Sequence, residues 1–152
     1  MIVFFLEGSF PDYCDRYLSN IWKYSDKQIE EVHDYIQWIF PLDTLSKAVP
    51  HSPALINEEI IEIRSSELAQ ENLLKSKEWF LDFLSRSDKW VDKKNHNHKR
   101  ISRMIRSLRL LHSDDAADEC AHEIIKSSIS KRYAITKCHR VLEKMLGSYA
   151  SI

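Results

Sequence analysis

The sequence has few of the residues that make tight turns. It contains 2 glycines and 4 prolines among 152 residues, whereas average usage would give about 11 and about 8. A β-sandwich or β-barrel needs such residues between its many short strands, so both architectures are disfavoured. The longest early apolar run, Ile2–Leu6, follows no basic segment and is too short to span a membrane. We therefore expect a soluble, cytoplasmic protein with no membrane span.

A pattern of metal-binding or catalytic residues is also missing. The three cysteines include no CxxC pair, and their odd number does not indicate a disulfide framework. His96 and His98 form an HxH pair, but no histidine or cysteine has zinc-finger or zincin spacing. No nucleophile elbow marks a catalytic serine or cysteine. We predict reduced thiols in an intracellular protein, and no metal, no cofactor and no enzymatic activity.

The composition is that of a globular protein whose charge is unevenly spread. Hydrophobic residues make up 43% and charged residues 30%, and the length suits a single domain over residues 1–152. Residues 1–92 hold 9 Lys and Arg against 17 Asp and Glu, whereas residues 93–152 hold 13 against 6. The basic second half either forms a patch for an anionic partner or packs against the acidic first half.

Apolar residues recur at helical spacing through most of the chain. The spacing predicts helices over residues 12–22, 26–40, 57–63, 66–85, 99–111, 114–125 and 131–147. Asn57 and either Ser113 or Asp114 are suitable N-cap residues. The sequence thus predicts an all-α fold, an irregular bundle of six or seven helices.

The clearest of these helices is predicted over residues 26–40. Ser25 and Gln28 fit a capping box at its start, and Pro41 must stop it. The residues of this helix that are predicted to be buried are Ile36, Trp38 and Phe40. The segment is therefore expected to be central to the stability of the fold.

Residues 33–42, with the sequence HDYIQWIFPL, resemble the hallmark of the opioid growth factor receptor conserved domain, in which leucine is commoner than isoleucine at position 39. Three weaker matches follow in the family's order, namely Pro11 with Asp12, residues 52–60 (SPALINEEI) and residues 96–108 (HNHKRISRMIRSL). Within the last motif, His98 stands where asparagine is common and Lys99 where an apolar residue is usual. The resemblance covers about residues 3–140.

This resemblance implies a receptor-like function. The vertebrate member that gives the family its name is an intracellular, nucleus-associated receptor for an enkephalin peptide that restrains cell growth. The chain is accordingly expected to be an opioid growth factor receptor-like protein, with nuclear association if its source is eukaryotic. No catalytic residues come with the family.

The first candidate site lies within the resembling segment. His33 and Gln37 stand four residues apart and so share one helical face, with Tyr35 and Trp38 beside them. Polar groups among bulky apolar side chains must be hydrogen-bonded or hydrated. Either this pair bridges to the backbone of the proline-containing loop over residues 41–56, or it forms the floor of a ligand pocket lined by the two aromatic residues.

The second candidate site lies in residues 93–109, which hold seven basic residues and no acidic one. The ligand-binding candidates here are His96, Asn97, Arg100 and Arg103. Free backbone N–H groups at a helix start favour an anion, so the stretch could bind phosphate, a carboxylate or a nucleic-acid backbone. Alternatively, its basic face is solvated or paired with acidic neighbours such as Asp114 and Asp118.

The function predicted first is a non-enzymatic binding module for a peptide, a protein or a small anionic ligand. Nucleic-acid or nucleotide binding by the basic second half is the alternative. An enkephalin site would need an acidic group, an aromatic pocket and a cation within about 15 Å. Asp34 with Tyr35 or Trp38, and Arg100 or Arg103, match these groups if the two motifs adjoin, as we expect. Since a short flexible peptide loses much conformational entropy, we do not expect enkephalin itself to bind tightly.

Overall fold

The structure, a computed structural model, describes residues 1–91, 94–131 and 144, and most of these residues lie in helices. These residues contain no β-strand, although Leu42 and Ala54 form an isolated bridge. The helices are α1 (Ile2–Leu6), α2 (Leu18–Ile21), α3 (Asp26–Glu31), α4 (Ile36–Ile39), α5 (Asn57–Ser65), α6 (Glu67–Arg86), a 3-10 turn (Lys89–Val91), α7 (Asn97–Leu111) and α8 (Asp114–Ser130). The predicted all-α fold is confirmed. The predicted helix over residues 131–147 lies almost wholly outside the described residues.

The four longer helices, α5 to α8, follow the predicted apolar periodicity. Ser113 caps α8 as predicted, because its hydroxyl accepts the Ala116 N–H at 3.1 Å. The prediction that Asn57 caps α5 is wrong by one position: Ile56 is the N-cap, and its N–H donates to the Glu59 carboxylate at 3.1 Å. α7 packs against α8, α5 packs against α6, and α1 contacts α4, α5 and α6.

The core is rich in aromatic side chains where α4 and α6 meet. The Phe40 and Phe80 rings pack edge to face, with their centroids 6.3 Å apart. Ile36, Trp38 and Phe40 are all buried, as predicted. The largest fully buried side chains are Trp90, Tyr35, Phe5, Phe40, Phe80 and Phe83. Among the helices of the described ranges, none has both the length and the apolar character to cross a bilayer.

The helix predicted over residues 26–40 is interrupted, so that prediction is wrong in its middle. Its start is correct: the Gln28 N–H donates to the Ser25 hydroxyl at 3.3 Å, and the Ser25 N–H to the Gln28 side-chain oxygen at 2.9 Å. The backbone then becomes extended at Val32 (φ −86°, ψ 126°), and α4 begins four residues later. α4 stops just before Pro41, as predicted. The interruption turns residues 32–35 into a short connection between α3 and α4.

The helix predicted over residues 12–22 is also wrong in its first half. The Asp12 carboxylate accepts the Cys14 N–H at 2.8 Å and the Arg16 N–H at 3.0 Å, which closes residues 12–16 into a tight loop. Asp15 has a φ of 56° in this loop, a left-handed conformation that aspartate tolerates better than most residues. Such local side-chain hydrogen bonds compete with helix formation, so only Leu18–Ile21 is helical.

Candidate functional site

Three segments that are distant in sequence enclose a cleft of about 460 Å³. They are the Asp12 loop, the connection between α3 and α4 with the adjoining α4, and the proline-containing loop before α5. The lining residues are Tyr13, Cys14, Arg16, Asp34, Trp38, Val49, His51 and Ser52. Clefts of 300–1,000 Å³ are typical of small-molecule and cofactor sites, so this one is large enough to take a ligand group.

The Asp12 loop forms one wall of the cleft. Asp12 is 4% exposed, and besides the two backbone N–H groups its carboxylate accepts the Arg16 Nε–H at 2.7 Å. The loop therefore encloses a satisfied buried charge, which fixes its shape. As a result Tyr13, at the tip, is 63% exposed with its ring beside the cleft.

An ion pair joins this wall to the connection between α3 and α4. Arg16 Nη1 lies 2.7 Å from Asp34 Oδ1, and Arg16 Nη2 lies 2.7 Å from Asp12 Oδ2. Partial burial alone would raise the pKa of Asp34, but the hydrogen bond and charge of Arg16 outweigh it and hold that pKa below its ordinary value. The carboxylate is thus ionised at neutral pH, while 44% of its side chain remains exposed.

The floor of the cleft is aromatic. Trp38 is 4% exposed, and its ring meets the Tyr13 ring edge to face at 5.0 Å. Phe5 of α1 packs on Trp38 in the same way at 5.2 Å. The cleft floor is therefore continuous with the core, which holds the Trp38 ring in one orientation.

The proline-containing loop forms the opposite wall. Within it the Ser52 hydroxyl donates to the Val49 carbonyl at 2.7 Å, and the Val49 N–H donates to the Ser46 hydroxyl at 3.2 Å. The Leu55 N–H donates to the Leu42 carbonyl at 2.9 Å, which ties the two ends of the loop together. These bonds present the side chains of Val49, His51 and Ser52 to the cleft.

A second polar centre, which we call the Arg100 clasp, joins α7 to the end of α3. Arg100 is 4% exposed, and its guanidinium donates to the backbone carbonyls of Ile29 and Val32, the latter at 2.8 Å. It also reaches the Glu30 carbonyl at 3.4 Å and His33 Nδ1 at 3.1 Å. Since carbonyls left over at the end of a helix need donors, Arg100 accounts for the interruption after α3.

His96 and Asn97 complete the clasp through Glu30. The Asn97 side-chain amide donates to Glu30 Oε1 at 3.0 Å, and His96 Nε2 lies 2.7 Å from Glu30 Oε2. The His33 and His96 rings pack edge to face, with their centroids 5.4 Å apart. A guanidinium can only donate, so Arg100 Nη2 donates to His33 Nδ1 in this contact.

The clasp makes the stability of the protein depend on pH. Partial burial, then the charge of Arg100, lower the pKa of His96; Glu30 opposes this, and His33 lowers it further. A depressed histidine pKa means that the unfolded chain takes up the proton more readily, so stability falls as pH drops through about 6.5. We expect this decrease to be smaller in His96→Gln, whose amide can still donate to Glu30 without titrating.

Urea unfolding at a series of pH values from about 7.5 to about 5 would measure this difference. His122→Gln is a suitable control, because His122 is an exposed histidine on α8. Parallel pH profiles for the wild type and His96→Gln would contradict the prediction.

Two further residues of α7 bind the end of α4. The Arg103 Nε–H donates to the Phe40 carbonyl at 2.9 Å, and the Ser107 hydroxyl donates to the Pro41 carbonyl at 2.9 Å. Burial, followed by the charge of Arg106, lowers the pKa of Arg103 to about 10. The two motifs singled out in the sequence therefore meet along α7, as expected.

The structure divides the candidate residues of the first motif between two places. Asp34 and Trp38 line the cleft, whereas Tyr35 is fully buried and its hydroxyl donates to the Ile29 carbonyl at 2.9 Å. The prediction that His33 and Gln37 share one helical face is wrong, because α4 begins after His33. Nor do these two side chains bridge to the loop over residues 41–56: His33 contacts the clasp, and the Gln37 side-chain oxygen is buried without a hydrogen-bond partner in the described structure.

The candidates of the second motif lie in and beside the clasp. His96, Asn97 and Arg100 bind the end of α3, and Arg103 binds the end of α4. None of the four lines the cleft. The sequence reasoning missed the other lining residues, which are Tyr13, Cys14, Arg16, Val49, His51 and Ser52. The signals that pointed to their segments were the resemblance at Pro11 and Asp12 and the unusual length of the proline-containing loop.

The basic stretch does not form one exposed surface. Arg100 and Arg103 bind backbone carbonyls, and Arg109 pairs with Asp114 at 3.1 Å and Asp118 at 2.6 Å. The exposed basic residues that remain in the described part of this stretch are Lys94, Lys99 and Arg106. The described residues also bring together no group of three His, Cys, Asp or Glu side chains that could hold a metal ion.

Comparison with known proteins gives one match. A family model of the opioid growth factor receptor conserved region matches residues 11–89, which is just over half of the chain. The matched region contains every residue that lines the cleft, whereas the motif over residues 96–108 lies beyond it. No curated protein and no solved structure gives a significant match.

Proposed function

Because the chain belongs to the opioid growth factor receptor conserved-region family, we propose that it is a non-enzymatic binding domain whose cleft takes a segment of a peptide or protein partner. The observation that carries this proposal is the cleft itself, with its fixed aromatic floor and ionised Asp34 at its edge. Aromatic residues beside a well-placed polar group are typical of binding sites.

The chemistry of Cys14 supports a binding role over a catalytic one. Cys14 is the thiol of the cleft, and its Sγ lies 3.6 Å from Asp34 Oδ2. Burial raises the pKa of this thiol; Arg16 acts against that effect, and Asp34 adds to it. A nucleophilic cysteine needs the opposite environment, one that favours the thiolate. We therefore propose no enzymatic activity for this site.

The charges favour a peptide or protein segment over a nucleic acid or a small anion. The cleft carries the carboxylate of Asp34 at its edge, and the Arg16 cation is already bound by two carboxylates. An incoming phosphate would meet negative charge there. Three of the basic residues that could have held a phosphate elsewhere, Arg100, Arg103 and Arg109, are engaged within the protein. Within the part of the chain that the structure describes, nucleic-acid binding therefore has no specific contact in its favour.

We place this activity inside the cell. Cys14 and Cys120, the cysteines that the structure describes, are both free, which suits a reducing compartment. Cys120 is buried on α8, and burial raises the pKa of its thiol to about 12. The receptor activity that the family is named after makes an enkephalin peptide one occupant to test.

The binding proposal is tested with a hexapeptide library in which each position is varied in turn, together with a synthetic enkephalin, by isothermal titration calorimetry. We expect at least one peptide class to bind, and the Tyr13→Ala variant to bind it about tenfold more weakly, since truncation of an aromatic contact costs more than 1 kcal/mol. Phe10→Ala is the matched control, because Phe10 is an equally large ring, 47% exposed, that does not line the cleft. Absence of binding across the library, or unchanged binding by Tyr13→Ala, would reject the proposal.

A further inference from the structure

We propose that the cleft selects a lysine side chain on the partner segment and rejects an acidic one. This inference rests on the proposed binding function and specifies the chemistry of the occupant. It stands on the charges at the edge of the cleft, on the oxygen of Asp34 that accepts only a weak thiol donor, and on the exposed ring of Tyr13.

The ion-paired trio of Asp12, Arg16 and Asp34 leaves one negative charge beside the cleft to be matched. Asp12 and Arg16 neutralise each other through contacts of 2.7 Å, and the Asp12 side chain is completely buried. Arg16 also contacts Asp34, but two carboxylates share this single guanidinium. The 44% exposed carboxylate of Asp34 is the part of the trio that meets solvent. A cation on the partner segment would complete the charge balance there.

The hydrogen bonding of Asp34 favours an ammonium group over a guanidinium. Asp34 Oδ1 is occupied by Arg16 Nη1 at 2.7 Å, whereas Oδ2 meets the weak thiol donor of Cys14 at 3.6 Å. A guanidinium binds a carboxylate best with both oxygens, in a bidentate pair. Since one oxygen is already used, a group that acts as a point charge fits better, and this group is the lysine ammonium.

The aromatic wall provides contact for the apolar part of the same side chain. Lysine has a four-carbon stem that lies along apolar surface while its ammonium stays near water or a counter-charge. The Tyr13 ring is 63% exposed and is held by the edge of Trp38. The protein already contains such a pairing, because Lys75 Nζ lies 4.2 Å from the centroid of the Trp22 ring.

The experiment compares four peptides that are identical except at one central position, which carries lysine, norleucine, arginine or glutamate. The background peptide is the best binder of the library described above. Norleucine has the lysine stem without the charge, so it separates the apolar contact from the ionic one. We expect the lysine peptide to bind about tenfold more tightly than the norleucine peptide, the arginine peptide to lie between them, and the glutamate peptide to bind weakest.

The Asp34→Asn variant isolates the charged contact. It should abolish the preference for lysine, so that the lysine and norleucine peptides bind this variant with equal affinity. Asp82→Asn removes an exposed carboxylate on α6. This control variant should change the affinity of neither the lysine nor the norleucine peptide. A further check needs no variant. Raising the salt concentration from about 50 to about 150 mM should reduce the difference in affinity between the lysine and norleucine peptides for the wild type.

The outcomes separate this inference from the proposed function. Equal affinity of the wild type for lysine and norleucine peptides, with both weakened by Tyr13→Ala, would overturn lysine selection and leave the binding function standing. Tighter binding of the arginine peptide than of the lysine peptide would also overturn lysine selection. Failure of all four peptides and of the library would reject the binding function itself.

Discussion

The Arg100→Ala variant is expected to lose about 3 to 5 kcal/mol of the free energy of unfolding, because several backbone carbonyls beside the core lose a charged donor. For a chain of about this length, such a loss lowers the melting temperature by roughly 6 to 20 °C. The loss of stability is large because several backbone carbonyls depend on the Arg100 side chain for a hydrogen bond. Without the guanidinium, the carbonyls of Ile29 and Val32 lose their charged donor beside the core, and hydrogen bonds to charged groups are worth about 1.5 to 3 kcal/mol each.

Urea unfolding followed by circular dichroism would measure this loss. Arg106→Ala is the matched control, since Arg106 is an exposed arginine on the same helix and surface changes of this kind stay within about 0.5 kcal/mol. Arg100→Lys keeps the charge but lacks the planar fork that reaches several carbonyls at once. We expect it to recover less than half of the loss. If Arg100→Ala were as stable as Arg106→Ala, the clasp would have no structural importance.

Truncation of Trp38 should have an effect of similar size. Trp38→Ala is expected to cost about 3 to 5 kcal/mol by the rule for large-to-small core substitutions. Trp38 is 4% exposed and packs between Phe5 and Tyr13, so its removal leaves a cavity and takes away two edge-to-face contacts. The same change should abolish peptide binding, because the Trp38 ring forms the floor of the cleft.

Two variants separate the loss of binding from the loss of stability. Trp38→Phe keeps an aromatic floor, so it should retain most of the stability and show weaker peptide binding. Leu45→Ala provides the baseline, since Leu45 is 72% exposed in the proline-containing loop and its truncation should change the free energy of unfolding by less than about 0.5 kcal/mol. A Trp38→Ala protein as stable as Leu45→Ala would show that residue 38 is not part of the core.

The clasp and the cleft are coupled through the chain. His33 contacts Arg100, and the next residue, Asp34, holds Arg16 at the edge of the cleft. Loss of the clasp should therefore also weaken peptide binding, although none of its residues touches the cleft. The segment over residues 26–40 is still predicted to be central to stability, and the structure adds a reason that the sequence did not reveal, namely its attachment to α7.

The candidate site was predictable in its residue types but not in its assembly. Asp34 and Trp38 were recognised because a carboxylate and a large ring stand close together in a resembling segment. Arg100 was predicted to bind an anion, yet it donates to backbone carbonyls 68 to 71 residues away in sequence. A guanidinium has the same donors for a ligand as for a carbonyl, so the sequence cannot tell the two uses apart.

The sequence by itself determined the helical class, the stop before Pro41, the capping box of Ser25 and Gln28, and the periodic faces of α6, α7 and α8. These features depend on contacts between residues at most about four positions apart, so the spacing of residue types in the sequence predicts them. Only the tertiary structure decided that the helix after Ser25 breaks at Val32, and that the Asp12 loop, although its own bonds span at most four residues, is buried and joined to Asp34 through Arg16. In both places a buried charge and the backbone bind each other, and the interior, where unpaired polar groups are costly, favours that pairing over a local helical preference of a few tenths of a kcal/mol per residue. The cleft exists for the same reason, because burial of Asp12 and Trp38 fixes its walls.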